Sequence, residues 1–391
     1  MRRLAPLEVF LWSRAAIWLV TLLAYALLQA RYAQPLHPPA EAPEPPQEAG
    51  FGLDVWARWD GGWFVHVARE GYSDPETTTA FFPAYPLLVR AVAWVLAGNE
   101  VVAGVVVSLA ACAAAFVLLD ALARELVGEE AARRALAFLA AFPTALFLGA
   151  VYSESLYLLL TVAAFLAAAR GRFAAAGAAA GLAILTRPTG VVLLPALALL
   201  ALGRPRPGRA LAGLALALPV AAAWPAWLWA EFGHPLQFLA AERTAWHRHL
   251  SDAGPLGGAW RGLEAGWDGL VQLLAGGNRF PGVDDAMQAA ALNLEALAAT
   301  VFLVVLGAVA WRRLGAAYGV FALGSVLVPL SSPAAGYPLL SMPRFALGVF
   351  PVFVALGALA ARPRAAAAVL GVLALLCGVD LARWVEWQFV A

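Results

Sequence analysis

A succession of long apolar runs constrains this chain more than any other feature. They lie at about residues 7–30, 100–123, 135–150, 154–169, 173–202, 209–230, 294–311, 315–330, 344–361 and 365–381. A membrane-spanning helix needs about 20 apolar residues, and in lipid each backbone amide must be bonded within its own segment. Runs of this length therefore predict an all-α polytopic membrane protein. A closed barrel would show short alternating segments instead. Although 391 residues would fill two or three soluble domains, 62% are hydrophobic and 13% charged, against about 45–50% and about 25% in a soluble fold. The expectation is a single integral-membrane domain over residues 1–391. Several runs are rich in Ala and Gly, which permits close helix packing.

Every basic residue is arginine, and 26 of them against 25 acidic groups leave a net charge of +1, so no nucleic-acid partner is expected. Cys112 and Cys377 sit inside apolar runs as small hydrophobes, without disulfide or zinc spacing. The placement of the arginines carries more information. Turns bearing Arg133 and Arg134, Arg170 and Arg172, Arg204 with Arg206 and Arg209, Arg312 and Arg313, and Arg362 and Arg364 read as cytoplasmic under the positive-inside rule. The first run follows Met1, Arg2 and Arg3 and exceeds a signal-peptide core, so it reads as a retained helix starting in the cytoplasm.

The long polar stretches 31–82 and 231–293 then lie on the opposite side. The first opens with PLHPPAEAPEPPQE from Pro35, which is expected to be extended and mobile. Residues 83–97 become a juxtamembrane helix that lengthens this outer loop to 31–99. The run 173–202 becomes two short helices broken at Arg187-Pro188-Thr189-Gly190. About eleven spans result, with the amino terminus inside and the carboxyl terminus outside. A second arrangement, with 83–97 a span and 173–202 unbroken, also gives eleven but places the 133–134 and 170–172 clusters outside.

In the first arrangement the polar motifs gather on the outer face: WARWDGGWFVHVAREGY (56–72), AFFPAYP (80–86), VYSES (151–155), TRPTG (186–190) and SMPRF (341–345). Ionisable groups near membrane depth are costly and mark substrate paths, so one outward pocket explains them best. Asp60 stands among Trp56, Trp59, Trp63 and Phe64 and before Gly61-Gly62. Partial desolvation there strengthens a carboxylate as a proton acceptor; a turn or N-cap aspartate is the plain alternative, and Asp54 and Asp74 compete. Arg187 and Arg344 each occupy a proline-containing break, where a guanidinium can grip a phosphate or snorkel to headgroups. Arg58 can pair with an acidic neighbour and Arg90 can snorkel. Glu154 can hydrogen-bond a sugar hydroxyl or simply suit the first turn of a helix. Tyr72, Phe81, Phe82 and Tyr85 are belt aromatics or sugar-stacking rings. His247 and His249 flank Arg248 without an acidic partner at metal spacing and read as a solvated loop.

Taken together, WDGGWFVHVAREGY, AFFPAYP, YSES and RPTG closely resemble the PIG-V type mannosyltransferases of the GT-C superfamily of polytopic glycosyltransferases. The first two motifs are the specific ones, the likeness runs from about residue 8 to 361, and the segment GHPLQFLAAERTAWHRHL (233–250) looks like that of bacterial members. It implies a GT-C type helical bundle with a long first outer loop. By the resemblance Asp60 matches the aspartate assigned as catalytic base, and Arg187 and Arg344 fall where such enzymes hold lipid-linked phosphate. Arg58, Trp59, Trp63, Tyr72, Tyr85 and Glu154 complete the expected substrate-binding set. Gly62 and Trp63 depart from the residues common in eukaryotic members, so a GPI acceptor is not implied. The implied reaction is an inverting transfer of mannose from a polyprenyl-phosphate sugar to a lipid or glycan acceptor at the outer face of the cell membrane, with membrane lipids as surroundings and no metal or cofactor. A flippase for a lipid-linked sugar is the alternative, but it predicts internal repeats that are not seen. A GT-C enzyme transferring another sugar or a preassembled glycan shares the scaffold.

Overall fold

The computed structural model describes residues 5–31, 50–283 and 285–390. Arg2, Arg3 and the proline-rich segment from Pro35 lie outside the described residues. The described elements are all helical, and among these residues the one strand-like contact is an isolated antiparallel bridge between Arg248 and Ala334.

Five helices are long and apolar enough to cross a membrane: Pro6–Leu28, Glu100–Val127, Pro207–Phe232, Ala286–Leu314 and Pro363–Val385. A sixth span exists if Met342–Gly348 and Phe350–Leu359, bent by 82° at their junction, count as one. About eleven spans were expected. The remaining apolar helices are shorter, at 10–17 residues: Ala84–Val95, Glu154–Ala169, Phe173–Thr186, Pro188–Leu202 and Ala316–Leu330. Local breakers account for the shortness. Gly171 and Gly315 hold positive φ between consecutive helices, a conformation that glycine reaches without strain. The run 135–150 is not a span, because helix Glu129–Ala140 stops ahead of Pro143 and the chain continues in a tight turn at Ala145–Leu148.

The outward sides of the long helices suit lipid and not water. Trp12, Leu27 and Leu375 are each about 70% exposed, and contiguous apolar surface of this kind marks a membrane contact. Inside, Phe116, Phe165, Phe321, Phe350 and Phe353 are fully buried in one continuous core. Arg14, inside the first span, is buried too and donates to the carbonyls of Ala145 and Ala140 at 2.6 and 3.1 Å.

Among the described residues both polar stretches carry helices. The first carries helices Asp60–Glu70 and Ala84–Val95. The second carries Gln237–Ala245 and the longer Pro255–Ala275, whose Gly258, Gly262, Gly266 and Gly269 are buried on the face that packs against helix Ala286–Leu314 and its neighbours. The two stretches also touch. Thr244 donates to the Glu76 carbonyl at 2.9 Å, and Gln237 reaches the Pro75 carbonyl at 3.5 Å. They therefore lie on the same side of the bundle.

Candidate active site

Asp60 opens helix Asp60–Glu70, and the residue before it, Trp59, has φ +53°. A bulky residue rarely adopts that geometry, and such strain concentrates where surrounding contacts over-determine the backbone. Three contacts do so here. The Tyr152 hydroxyl donates to the Arg58 carbonyl at 2.9 Å, the Val151 amide donates to the Trp56 carbonyl at 2.9 Å, and Gly61 lies so close to Tyr152 that an added Cβ would sit 3.2 Å from the ring. The motif VYSES thus fixes the backbone that presents Asp60.

Arg187 is placed by its proline. Helix Phe173–Thr186 ends before it, and Arg187 takes the extended conformation, φ −154° and ψ 140°, that a following proline favours. Gly190 then lies against the backbone of Ala183 and Ile184, where a Cβ would meet their atoms at 2.7 Å. The break expected at Arg187-Pro188-Thr189-Gly190 is present and tightly packed. Arg344 lies in the single turn Met342–Phe345, which follows Ser341 at φ +68°.

These side chains meet. Arg344 Nη1 donates to Asp60 Oδ2 at 2.6 Å, and Arg344 Nε lies 3.3 Å from Glu154 Oε1. Arg187 Nη1 donates to the same Glu154 oxygen at 2.7 Å. The order is carboxylate, guanidinium, carboxylate, guanidinium, with Glu154 1% exposed and its Oε2 without a hydrogen-bond donor among the described residues. Rings surround the cations: Phe345 lies 4.8 Å from Arg187 and 5.8 Å from Arg344, and Tyr152 lies 5.4 Å from Arg344. Cation–π contacts of this kind stabilise a guanidinium away from water.

All four charged groups line a cavity of about 690 Å³, together with Phe81, Phe82, Ser153, Thr186, Glu242, Trp246 and Arg248. Burial pushes the Glu242 carboxyl above its ordinary range, and nearby Arg248 opposes that rise. Among the described residues no three His, Cys, Asp or Glu side chains are grouped to hold a metal.

Phe64 and His249, also named from the sequence, line the cavity, whereas Arg58, Trp59, Trp63, Tyr72 and Tyr85 do not. Arg58 donates to the carbonyls of Trp384 and Val385 at 2.5 and 2.9 Å and stacks on Trp387, tying the loop to the last helix. It pairs with backbone there, not with an acidic neighbour. Trp59 packs against Trp387 and Phe389, and of these rings Phe389 lines the cavity. Trp63 stacks on Phe81 and backs that ring. Tyr72 donates to the Phe81 carbonyl and packs on Trp224 and Trp227. Tyr85 is fully buried, bonded to Ser108 at 2.8 Å, and Ser108 in turn donates to the Tyr152 carbonyl. These residues support the walls of the site.

Tyr152, Phe345, Glu242, Trp246 and Arg248 line the cavity although reading the sequence gave them no role in the site. For the first two the signal was membership in VYSES and SMPRF. For the helix Gln237–Ala245 it was the recurrence of Phe238, Glu242 and Trp246 at every fourth residue, one face of a helix. His249 lines the cavity beside them.

Residues 7–203, about half of the chain, match the family model of Mannosyltransferase (PIG-V). No curated protein and no solved structure matches the chain.

Proposed function

The chain belongs to the PIG-V mannosyltransferase family and is a membrane glycosyltransferase, and on that premise we propose that it moves a mannosyl residue from a polyprenyl-phosphate donor to a lipid-linked or cell-envelope acceptor on the extracytoplasmic face of the cell membrane. The observation that carries the reading is the array of Asp60, Arg344, Glu154 and Arg187 in one cavity. Three of its members fall inside the matched residues 7–203, and Arg344 is brought to them from outside that span.

In the proposed step the acceptor oxygen bonds to the anomeric carbon as the bond from that carbon to the phosphate oxygen breaks, with inversion. Asp60 takes the hydroxyl proton, and the leaving phosphate takes the electron pair. Arg344 and Arg187 stabilise the charge that develops on the phosphate, which is where fixed cations contribute most. Glu154 holds both guanidiniums side by side, and its Oε2 is buried without a donor among the described residues. As it stands the array is charge-balanced, so a donor phosphate competes with Asp60 for Arg344. Binding of the donor then leaves the Asp60 carboxylate free for the acceptor hydroxyl.

The test incubates membranes carrying the protein with radiolabelled polyprenyl-phosphate mannose and extracts the lipid products. Wild type is expected to transfer label, and Asp60→Asn to lose about 10²–10⁴-fold in rate. Transfer that survives Asp60→Asn removes the assigned base. Absence of transfer from any polyprenyl-phosphate sugar returns the flippase reading.

A further inference from the structure

The cavity has a second charged wall that this array does not use. Helix Gln237–Ala245 turns Phe238, Glu242 and, at its end, Trp246 toward the cavity, while Thr244 on another face anchors to the first outer stretch at Glu76. The chain then runs along residues 331–335: Ala335 donates to the His247 carbonyl at 3.2 Å, and Ser251 donates to the Ser331 carbonyl at 2.9 Å. Arg248 lies within this ladder. Its Nη1 and Nη2 donate to the Ser332 and Leu340 carbonyls at 3.2 and 3.0 Å, and its Nε faces the Glu242 carboxylate at 3.5 Å. Arg248 is thus committed to backbone. The Glu242 carboxylate, with the side chain 32% exposed, is held by charge and accepts no hydrogen bond from the described residues, while its backbone carbonyl accepts from the Arg248 amide at 3.0 Å.

A half-buried carboxylate with unfilled acceptor capacity, one helical turn from an indole, has the chemistry of a site for a cyclic polyol. The carboxylate accepts from ring hydroxyls, and the aromatic face packs on the C–H face. Trp246 is held in place by Phe81 at 5.4 Å, itself stacked on Trp63. Arg344 and Arg187, paired with Asp60 and Glu154, remain the cations assigned to the donor phosphate, whereas on this second wall Arg243 and Arg248 line the cavity beside Glu242, and Arg248 is held by backbone carbonyls and by Glu242. Moreover, Glu242 and Trp246 lie outside the matched residues 7–203, whereas Asp60, Glu154 and Arg187 lie within them. We infer that Glu242 and Trp246 form the acceptor subsite: Glu242 receives hydrogen bonds from hydroxyls beside the attacking one, and Trp246 supports the ring that carries them. Arg248 acts as a positioning residue for Glu242. This assignment rests on the reading of Asp60 as the base of a mannosyl transfer, and it specifies an acceptor that presents a sugar ring and not a simple alcohol.

The experiment uses the full-length protein in membranes with decaprenyl-phosphate mannose as donor, octyl α-mannoside as probe acceptor and 1-octanol as the ring-less control. Wild type is expected to use the glycoside and not octanol. Glu242→Gln should raise the KM for the glycoside about tenfold or more, with kcat and donor KM within about threefold, the pattern of lost uniform binding. Glu242→Asp should fall between the two. Trp246→Leu, which changes no charge, should move the same parameter and keeps the subsite testable if Glu242→Gln fails to fold. An unchanged glycoside KM, a rise in donor KM instead, or equal use of octanol overturns the acceptor subsite. Failure of the wild type to transfer mannose to either probe or to any membrane lipid overturns the mannosyl-transfer reading itself.

Discussion

Glu154 occupies the first turn of helix Glu154–Ala169 and at the same time bridges two guanidiniums through one oxygen, at 2.7 Å to Arg187 and 3.3 Å to Arg344. From the sequence a helix-turn role and a sugar-binding role are alternatives; in the fold the residue stands in the first turn and in the cavity together. Removing one partner of a buried ionic set costs about 3–5 kcal/mol, because the remaining charges lose their compensation. Glu154→Ala is therefore expected to lower stability by about 3 kcal/mol or more in thermal unfolding of the detergent-solubilised protein. Glu154→Gln, which keeps the volume and one acceptor, should lose less stability yet still reduce transfer by roughly 10²-fold, since the arginines are no longer held together. The neighbouring aromatics show what residue identity alone leaves open. Trp59, Trp63, Tyr72 and Tyr85 sit in or beside the same motifs as Asp60, and each backs or braces the site without lining the cavity.

At the scale of elements, the break after Thr186 was legible because proline and glycine act on their own backbone. Its packing was not legible. Gly190 abuts the main chain of the preceding helix, so Gly190→Val must push that helix away or move the break. Overpacking of this kind costs about 1–3 kcal/mol. The expected outcome is a lower unfolding temperature together with a higher donor KM, because Arg187 stands three residues before the glycine; a normal donor KM would show that Arg187 does not depend on this packing. Hydropathy also merges long and short helices: five described helices are long and apolar enough to span alone, and five more apolar ones are shorter. It marks apolar segments but cannot tell a helix facing lipid from a short one buried among its neighbours: Glu154–Ala169 is buried along most of its length, whereas Phe173–Thr186 keeps Ala174, Ala175, Ala178 and Leu182 exposed on one side. In the polar stretch 231–293 the reverse holds: its low hydropathy concealed helix Gln237–Ala245, which forms a wall of the cavity.

Across the whole molecule, contacts between Thr244 and Glu76 and between Arg58 and Trp384 join both polar stretches and the last helix around one cavity. The proposed orientation has a direct check, since the native Cys112 and Cys377 are buried and should contribute little background. Single cysteines at positions 189 and 338 should be labelled by a membrane-impermeant maleimide added outside, and one at position 130 only after access to the cytoplasmic side. Labelling of position 189 from the cytoplasm alone would reverse the assignment. Membrane residence, helical class, the break at Arg187 and the prominence of the Asp60 motif were readable in the chain because hydropathy, proline and glycine act locally. The pairing of Asp60 with Arg344, 284 positions away, and the wall bearing Glu242 and Trp246 came from packing. Those features depend on which way each helix face is turned and on which distant segments meet, and neither is a property of any local stretch of sequence.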